Sequence, residues 1–225
     1  LKDYDNTLKV CDGADYIFNF ACNMGGMGFI ENNKAECMLS VLINANLLRA
    51  AKENKTEKYF FSSSACVYNG SKQNQTFIEG LKETDAYPAD PEDGYGWEKL
   101  FSERFYLAAK RNYGIDVRIG RFHNIFGPEG SWKDGREKAP AAFCRKVAET
   151  PDGGEIEMWG DGEQTRSFLY VDECIEGVQR LMASNYDNPI NIGSDEMVSL
   201  NKLASIVMDI AGKKQTINHI DGPSP

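Results

Sequence analysis

An alternation of strand, helix and strand in residues 15–63 constrains the fold more than any other feature of the sequence. Residues 15–21 and 58–63 are short apolar, aromatic-rich runs of the kind that form buried strands. Between them, apolar side chains recur at the helical period, at Met38, Val41, Leu42, Ala45, Leu48 and Ala51. A helix that joins two neighbouring strands makes them parallel, with a right-handed crossover. We therefore predict an α/β fold built on a parallel sheet, with a helix over residues 34–54.

The rest of the chain continues this alternation in two parts. Residues 1–10 are predicted to be the end of a helix, and residues 22–33 a loop. The further predicted helices are 93–113, 139–149, 171–183 and 200–211, and the further strands are 116–120, 155–159, 166–170 and 189–192. The composition of the chain changes after Gly127-Pro128. We therefore predict one region over residues 1–128 and a smaller α/β region over 129–225, with a return strand near 189–192.

Composition excludes several classes of protein. The net charge of −9 argues against a general nucleic-acid or anionic-membrane binder, and no apolar run approaches the roughly 20 residues that span a bilayer. The six cysteines include no C-x-x-C pair and there are two histidines, so we expect no metal site. Scattered cysteines are typical of a reducing compartment and predict a cytoplasmic location. Because the chain begins at Leu1 and ends at Gly-Pro-Ser-Pro, we expect it to be part of a longer protein.

Tyr95 and Lys99 lie four residues apart near the start of the predicted helix 93–113, so they share one face of that helix. A free tyrosine has a pKa of about 10, too high for a base at neutral pH. A neighbouring ammonium favours the phenolate and lowers this pKa. The pair therefore favours a tyrosine that acts as a base. The alternative is a solvated surface pair, which is common on helices.

Ser64 and Cys66 come directly after the predicted strand 58–63. Ligands of parallel sheets bind at the carboxyl ends of the strands, which favours a functional role for both residues. Cys66 has the alternative of being an inert packing residue, as most free cysteines are. Cys22 borders the predicted loop, and both roles stay open for it. We expect His123 to be a hydrogen-bonded structural residue and not a base.

Two further features have two interpretations each. The loop Gly25-Gly26-Met27-Gly28 lacks the G-x-G-x-x-G spacing of a dinucleotide-binding turn. It is either a flexible turn or a place where the backbone approaches a ligand closely. Basic residues are concentrated in the second half of the acidic chain, at Lys133, Arg136, Lys138, Arg145, Lys146 and Arg166. They are either solvated charges or a clamp for a diphosphate, with Arg166 best suited to bidentate contact.

Several motifs follow one another in the order of a known family. They are Ser62–Tyr68, Tyr95-x-x-x-Lys99, Arg121–Pro128, Gly160-Asp161-Gly162-x-Gln164-x-Arg166-x-Phe168, Tyr170-Val171-Asp172 and Asn191-Ile192-Gly193. Together they resemble the extended short-chain dehydrogenase/reductase family of NAD-dependent nucleotide-sugar epimerases and dehydratases. The resemblance implies a Rossmann-type doubly wound parallel sheet whose first strands are missing, with a smaller C-terminal α/β substrate-binding region. It also implies NAD as the cofactor and a homodimer formed through the helices 34–54 and 93–113.

Three features are similar to those of the family members that act on GDP-mannose. They are the loop Asn23–Phe29, a cysteine at position 66, and the block Gly135–Ala141. The resemblance implies a GDP-sugar substrate that is oxidised at C4, inverted at C3 and C5 through a transient 4-keto intermediate, and then reduced again. The implied products are GDP-L-galactose and GDP-L-gulose, in ascorbate biosynthesis.

The resemblance also assigns catalytic roles. Tyr95 takes the proton of the sugar hydroxyl, Lys99 lowers the pKa of Tyr95 and holds the ribose of NAD, and Ser64 hydrogen-bonds the same sugar oxygen. Inversion needs an acid and a base on opposite faces of the sugar. Cys66 and Lys138 are expected to fill these roles, in an order that the sequence leaves open.

Binding residues follow from the same resemblance. Ala21 and Ser62 are expected to contact NAD together with Tyr95 and Lys99. The expected substrate contacts are Met24, Gly25, Gly26, Gly28, Asn124, Arg136, Glu137, Lys138, Lys146, Gln164 and Arg166.

Two alternatives remain open. A different nucleotide-sugar 4-epimerase or dehydratase would keep Tyr95 and Lys99 but have no use for a Cys66–Lys138 pair; Lys138 would then be a surface lysine, as it is in most proteins. A non-catalytic NAD-sensing or scaffold protein would need none of Ser64, Tyr95 and Lys99. All three are present, which disfavours this second alternative.

Overall fold

A computed structural model describes residues 1–73 and 80–222 of the chain. The helices are α1 (Tyr4–Val10), α2 (Met27–Asn32), α3 (Lys34–Met38), α4 (Ser40–Glu53), α5 (Asp93–Tyr113), α6 (Ala139–Glu149), α7 (Val171–Ala183) and α8 (Leu200–Ala211). The strands are β1 (Tyr16–Asn19), β2 (Lys58–Ser64), β3 (Asp116–Phe122), β4 (Ile125–Phe126), β5 (Glu155–Trp159), β6 (Thr165–Ser167), β7 (Leu169–Tyr170), β8 (Ile190–Ile192), β9 (Met197–Ser199) and β10 (Thr216–Ile220). The last three residues of the predicted second region lie outside the described residues.

The chain divides into two compact units. The first unit comprises residues 1–24, 33–123 and 172–192. It holds a four-stranded parallel sheet in the order β1-β2-β3-β8, with Asn19 aligned to Phe61 and Ser62 aligned to Gly120. The prediction of a Rossmann-type parallel sheet is confirmed, and the predicted return strand is β8.

The core of the first unit forms where one face of β2, which is buried on both faces, packs against α4 and α5. Tyr59 and Phe61 alternate along β2 and are fully buried. They pack in one cluster with residues of α4, α5, β1 and β3, namely Leu47, Leu48, Ala50, Ala51, Tyr106, Ala109, Ile17, Val117 and Ile119. This packing holds α4 and α5 against the sheet and places the first turn of α5 at a fixed position.

Buried polar side chains connect α4, α5 and the sheet. Asn44 donates to Glu98 Oε1 at 2.6 Å and to Ser102 Oγ at 2.9 Å, and Asn19 donates to Asn44 Oδ1 at 2.7 Å. All four residues are buried. A buried polar group costs free energy unless it is hydrogen-bonded, so this network fixes how α4 and α5 pack.

A second buried network joins α5 to the carboxyl end of the sheet. Arg121 donates to both carboxylate oxygens of Glu103, at 2.9 and 2.7 Å, and Ser63 Oγ donates to Glu103 at 2.5 Å. Arg121 and Glu103 are almost completely buried. Breaking a buried pair leaves an uncompensated charge, so the pair constrains the register of α5 on the sheet.

Among the described residues, the second unit comprises 25–32, 124–171 and 193–222. It contains three two-stranded sheets: β5 pairs with β10 and β4 with β7 in parallel, and β6 pairs with β9 antiparallel. Its core is formed by side chains of α6, β5 and α8, namely Phe143, Val147, Ile156, Met158 and Ala204.

Three local predictions are wrong. The predicted loop 22–33 contains the short helix α2. The predicted helix 34–54 is two helices, α3 and α4, that meet at Leu39. The predicted strand 166–170 is two strands, because Arg166 pairs with Val198 whereas Leu169 pairs with Ile125. In the third case the partners lie far away in sequence, so the local pattern could not specify them.

The two units are not divided at one point in the sequence, whereas we predicted a single boundary at residue 128. Residues 25–32 pack with the second unit although they follow the first strand, and residues 172–192 return to the first unit. The loop that carries Gly25, Gly26 and Gly28 therefore belongs to the same unit as Lys138.

Candidate active site

Tyr95 and Lys99 lie in the first turns of α5 and are buried. Only 5% of Tyr95 and 1% of Lys99 is exposed. The Nζ atom of Lys99 donates to the backbone oxygen of Ser62 at 2.8 Å and lies 5.7 Å from the centre of the Tyr95 ring. The interpretation of a solvated surface pair is therefore wrong. A buried ammonium needs a strong local acceptor, and the carbonyl at the end of β2 provides one.

Ser64 ends β2 and starts a 3-10 helix, Ala65–Val67, that presents Cys66. The backbone N–H of Cys66 donates to Ser64 Oγ at 3.2 Å. A glycine at position 96 lets this turn lie directly against α5, since a Cβ there would come 2.2 Å from the backbone oxygen of Cys66. The structure thereby brings Ser64, Cys66 and Tyr95 together at the carboxyl end of the sheet.

Burial raises the pKa of Tyr95 well above its ordinary value, and the nearby thiols of Cys22 and Cys66 raise it further. A hydrogen bond with Ser64 acts in the opposite direction. In the chain by itself, desolvation of the phenolate thus outweighs the favourable contacts; the lowering expected from Lys99 together with the cationic nicotinamide of bound NAD stays a prediction. Cys22, whose role the sequence left open, lies close enough to act on the phenol.

The ends of β1 and β2 are tied together beside this group. Ser62 Oγ donates to the backbone oxygen of Asn19 at 3.0 Å, and the N–H of Ala21 donates to Asn19 Oδ1 at 3.1 Å. Ala21 and Ser62, expected to contact NAD, therefore lie near the carboxyl ends of β1 and β2, in the unit that holds Tyr95 and Lys99. A phenol and an ammonium on one helix face fit the hydroxyl groups of a ribose. The G-x-G-x-x-G turn that would hold a pyrophosphate does not occur in the sequence.

The glycines of the loop 25–28 contact another part of the second unit. The N–H of Gly26 donates to the backbone oxygen of Arg136 at 3.0 Å. A Cβ on Gly26 would lie 2.5 Å from the backbone oxygen of Glu137, and one on Gly25 would lie 3.1 Å from the Cα of Arg136. The loop is therefore not a free turn. Its glycines allow two stretches of backbone to approach each other, which neither interpretation of the sequence described.

Lys138 lies where this contact meets helix α6. It occupies the position before the first helical residue, and Pro140 is buried in the first turn. Glu137 accepts from the N–H of Gly135 at 2.8 Å and forms an ion pair with Arg145 at 3.3 Å. Lys138 belongs to the second unit and Cys66 to the first, so their pairing as acid and base stays a prediction.

Met24 lies in the first unit, and Gly28 lies next to Trp159 in the second. The other expected substrate contacts also belong to the second unit: Asn124 directly before β4, Lys146 on α6, Gln164 directly before β6 and Arg166 on β6. Asn124 donates to the backbone oxygen of Ser167 at 3.1 Å, and Gln164 to that of Trp159 at 3.3 Å. Arg166 is exposed and its Nη1 donates to the backbone oxygen of Thr165.

Three of the basic residues considered for a diphosphate clamp have partners within the second unit. Lys133 pairs with Glu149 at 2.9 Å, and Arg145 pairs with Glu137 and Glu149, each at 3.3 Å. Lys146 donates to the backbone oxygen of Glu157 at 2.6 Å, and partial burial lowers the pKa of its ammonium. Lys133 and Arg145 are thus neutralised locally, which leaves the exposed Arg166 as the better candidate for an anionic ligand.

Sequence reasoning missed Gly96 and Phe29. A glycine inside a helix costs about 1 kcal/mol relative to alanine, so its presence between Tyr95 and Lys99 was a signal of close packing. No local signal marked Phe29, whose ring carries the guanidinium of Arg136 at 3.9 Å. His123 is hydrogen-bonded to Asn191 at 3.0 Å, as predicted.

Residues 1–73 and 80–222 contain neither a membrane-spanning helix nor a metal-binding cluster. Within these ranges no helix is both long and apolar enough to cross a bilayer. Nor do His, Cys, Asp and Glu side chains form a group of three or more that could hold a metal ion.

Comparison with known proteins places these observations in context. Residues 1–193 match the model of the NAD dependent epimerase/dehydratase family. The chain is 52% identical over 224 residues to GDP-mannose 3,5-epimerase of Arabidopsis thaliana, covering 99% of the chain and 59% of that protein. It is 51% identical to GDP-mannose 3,5-epimerase 1 of Oryza sativa subsp. japonica, covering 99% of the chain and 58% of that protein. The chain thus spans somewhat more than half the length of these relatives.

A solved structure is similar over nearly the whole chain. It is that of UDP-N-acetylglucosamine 4-epimerase from Methanobrevibacter ruminantium in complex with UDP-N-acetylmuramic acid. The TM-score is 0.83 at 25% identity, and the match covers 98% of this chain and 68% of the other.

Proposed function

The chain belongs to the NAD dependent epimerase/dehydratase family, and we propose that the full-length protein inverts C3 and C5 of the hexose in GDP-mannose. The products would be GDP-L-galactose and GDP-L-gulose, formed through a transient 4-keto sugar. Identity of 52% to a relative named for this reaction supports the proposal.

The observation that carries the proposal is the burial of Tyr95 beside both Ser64 and a thiol. A simple 4-epimerase needs the phenol, the ammonium and the hydroxyl, but it has no use for Cys66. Here the turn that carries Cys66 is held against α5 at Gly96, in a contact that only glycine permits. A thiol held so closely to the base is suited to exchange a proton with the same sugar.

The first half of the proposed chemistry takes place at C4. Tyr95 accepts the proton of the C4 hydroxyl, and Ser64 donates a hydrogen bond to the same oxygen. The ammonium of Lys99 lies 5.7 Å from the centre of the Tyr95 ring and donates to the backbone oxygen of Ser62. NAD, when bound between these residues, would supply the acceptor of the C4 hydride and, as NADH, its later donor. Because Tyr95 is desolvated, a cation close to its oxygen stabilises the phenolate far more than it would in water.

The second half takes place at C3 and C5. The C4 ketone acidifies the hydrogens on both neighbouring carbons, and Tyr95 and Ser64 stabilise the resulting enolate as preformed donors. Cys66 and Lys138 exchange protons on opposite faces, because a single group tends to return a proton to the face it left. The order of acid and base is left to experiment.

Deuterium incorporation tests the proposal. The full-length protein is incubated with GDP-mannose and NAD in deuterated water, and the sugar is read by NMR. We expect deuterium at C5 and C3 with inverted configuration at both carbons. Unlabelled C3 and C5 together with turnover at C4 would contradict the proposal and favour a 4-epimerase or a dehydratase.

We further propose a homodimer formed by α3, α4 and α5. Large apolar side chains on these helices are between 41% and 56% exposed in the single chain, namely Met38, Leu39, Leu42, Trp97 and Phe101. Burying such a stripe between two copies removes apolar area from water. Phe101→Glu is expected to give monomers in sedimentation experiments, and a dimer that survives this change would contradict the interface. The cytoplasmic location and the role in ascorbate biosynthesis stay predictions.

A further inference from the structure

We propose that Phe29 is a positioning residue for Lys138, acting through the side chain of Arg136 and the backbone of Glu137. This inference rests on the proposed function, because it concerns the proton transfers at C3 and C5. It explains why two sequence blocks about 110 residues apart, Asn23–Phe29 and Gly135–Ala141, occur together in this chain.

The first contact is between side chains. The guanidinium carbon of Arg136 lies 3.9 Å from the centre of the Phe29 ring, within the range of a cation–π interaction. Both side chains are half-buried. A guanidinium is more weakly hydrated than an ammonium, so stacking on a ring costs arginine less than it would cost lysine. The stacked Arg136 therefore holds the chain two residues before Lys138.

The second contact is between backbones. The N–H of Gly26 donates to the oxygen of Arg136 at 3.0 Å, and the oxygen of Gly26 accepts from the N–H groups of Phe29 and Ile30 at 3.0 and 3.1 Å. Gly26 therefore connects the start of α2 to the Arg136–Glu137 backbone. Ile30 is 6% exposed and anchors α2 in the second unit.

The other side of the segment is held as well. The carboxylate of Glu137 accepts from the N–H of Gly135 and pairs with Arg145 on α6. Glu137 is thus fixed through its side chain by α6, and the carbonyl oxygen of the preceding residue, Arg136, accepts from the N–H of Gly26. Lys138 is the next residue, at the start of α6. The backbone from which its ammonium extends is consequently set by contacts on both sides.

Loss of this support is expected to affect one half of the reaction only. A lysine side chain is flexible, and misplacement of a reacting group by about 1 Å can reduce a rate by about a hundredfold. Tyr95, Ser64 and Lys99, which act at C4, belong to the first unit, whereas Phe29, Arg136 and Lys138 belong to the second. The ratio of C3/C5 exchange to C4 oxidation therefore reports on the position of Lys138.

The experiment compares four variants of the full-length protein. Phe29→Leu and Phe29→Met remove the ring but keep an apolar side chain, and two such variants are used so that the result does not depend on the folding of one. Phe29→Tyr restores a ring. Phe126→Leu is the matched control, since Phe126 lies in the same unit and its ring contacts Phe168 and Tyr170 instead.

Deuterium incorporation at C3 and C5 and formation of NADH are measured in the same samples. We expect Phe29→Leu and Phe29→Met to lower the exchange rate at least about tenfold while NADH formation is retained. Phe29→Tyr and Phe126→Leu are expected to behave as the unmodified protein does.

Two results would overturn the inference and leave the proposed function intact. One is an unchanged exchange rate in the Leu and Met variants. The other is a parallel loss of exchange and NADH formation in both, which would indicate a general structural role. If the unmodified protein forms NADH but exchanges no deuterium, the proposed function fails, and the inference fails with it.

Discussion

The contact between α5 and the Cys66 turn gives a quantitative prediction for Gly96→Ala. A Cβ at position 96 would lie 2.2 Å from the backbone oxygen of Cys66 and 3.1 Å from the Cβ of Pro91. The first distance is about 1 Å short of ordinary van der Waals contact. The closest atom is backbone and not the end of a flexible side chain, so the turn or the helix has to move.

Two opposing terms set the magnitude. Alanine is favoured over glycine inside a helix by about 1 kcal/mol, whereas overpacking a rigid site costs about 1–3 kcal/mol. Because both neighbouring atoms are rigidly held, we expect the upper end of the cost. The net loss of stability is then about 2 kcal/mol, or a melting temperature lower by roughly 5 °C. A displacement of about 1 Å between Cys66 and Tyr95 is expected to reduce turnover by about a hundredfold.

Thermal unfolding and the deuterium assay measure the two effects on the full-length protein. Gly70→Ala is the matched control, since a Cβ at that position meets its nearest neighbours at 3.8 Å. If Gly96→Ala matches this control in melting temperature and turnover, the close contact between α5 and the Cys66 turn does not exist. A loss of stability without loss of turnover would show that the contact supports the fold alone.

Three further predictions concern Tyr95, Cys66 and Glu98. Tyr95→Phe is expected to abolish NADH formation with substrate, because it removes the proposed base and nothing else from the buried site. Cys66→Ala is expected to abolish deuterium exchange at C3 and C5 while C4 oxidation, read as NADH, continues. Burial raises the pKa of Glu98 in the folded state, so ionisation of Glu98 opposes folding. This cost to the free energy of unfolding is absent below the unfolded-state pKa of about 4.3 and grows as the pH rises. Glu98→Gln is therefore expected to raise the free energy of unfolding at pH 7 relative to the unmodified protein, and to have little effect near pH 4.

Each of these has a result that contradicts it. Normal NADH formation in Tyr95→Phe would remove Tyr95 as the base. Full epimerisation by Cys66→Ala would return Cys66 to a packing role. For Glu98, the amide oxygen of glutamine can still accept from Asn44 and Ser102, which makes it a conservative change. If the free energy of unfolding of Glu98→Gln rises relative to that of the unmodified protein as the pH falls, Glu98 stabilises the fold as a carboxylate.

Much of the fold was predictable because it is encoded in local periods. The short apolar runs at residues 15–21 and 58–63 each identify a buried strand, and the helical period of Met38–Ala51 identifies the helical segment between them. The alternation of these elements then leaves few topologies, since crossovers in parallel sheets are right-handed. The same reasoning places Ser64 at the carboxyl end of its strand, whereas the resemblance implied that Tyr95 acts beside it.

The tertiary structure decided what depends on partners distant in sequence. It divided residues 166–170 between Val198 and Ile125, brought Gly26 against the Arg136–Glu137 backbone, and stacked Arg136 on Phe29. It also raised the pKa of Tyr95 in the chain by itself, because desolvation depends on everything packed around a group and not on its helical neighbour alone. By itself the sequence determined the sheet and the residues at its edge; the contacts that fix Cys66 and Lys138 are set by close packing between segments whose proximity no local pattern records.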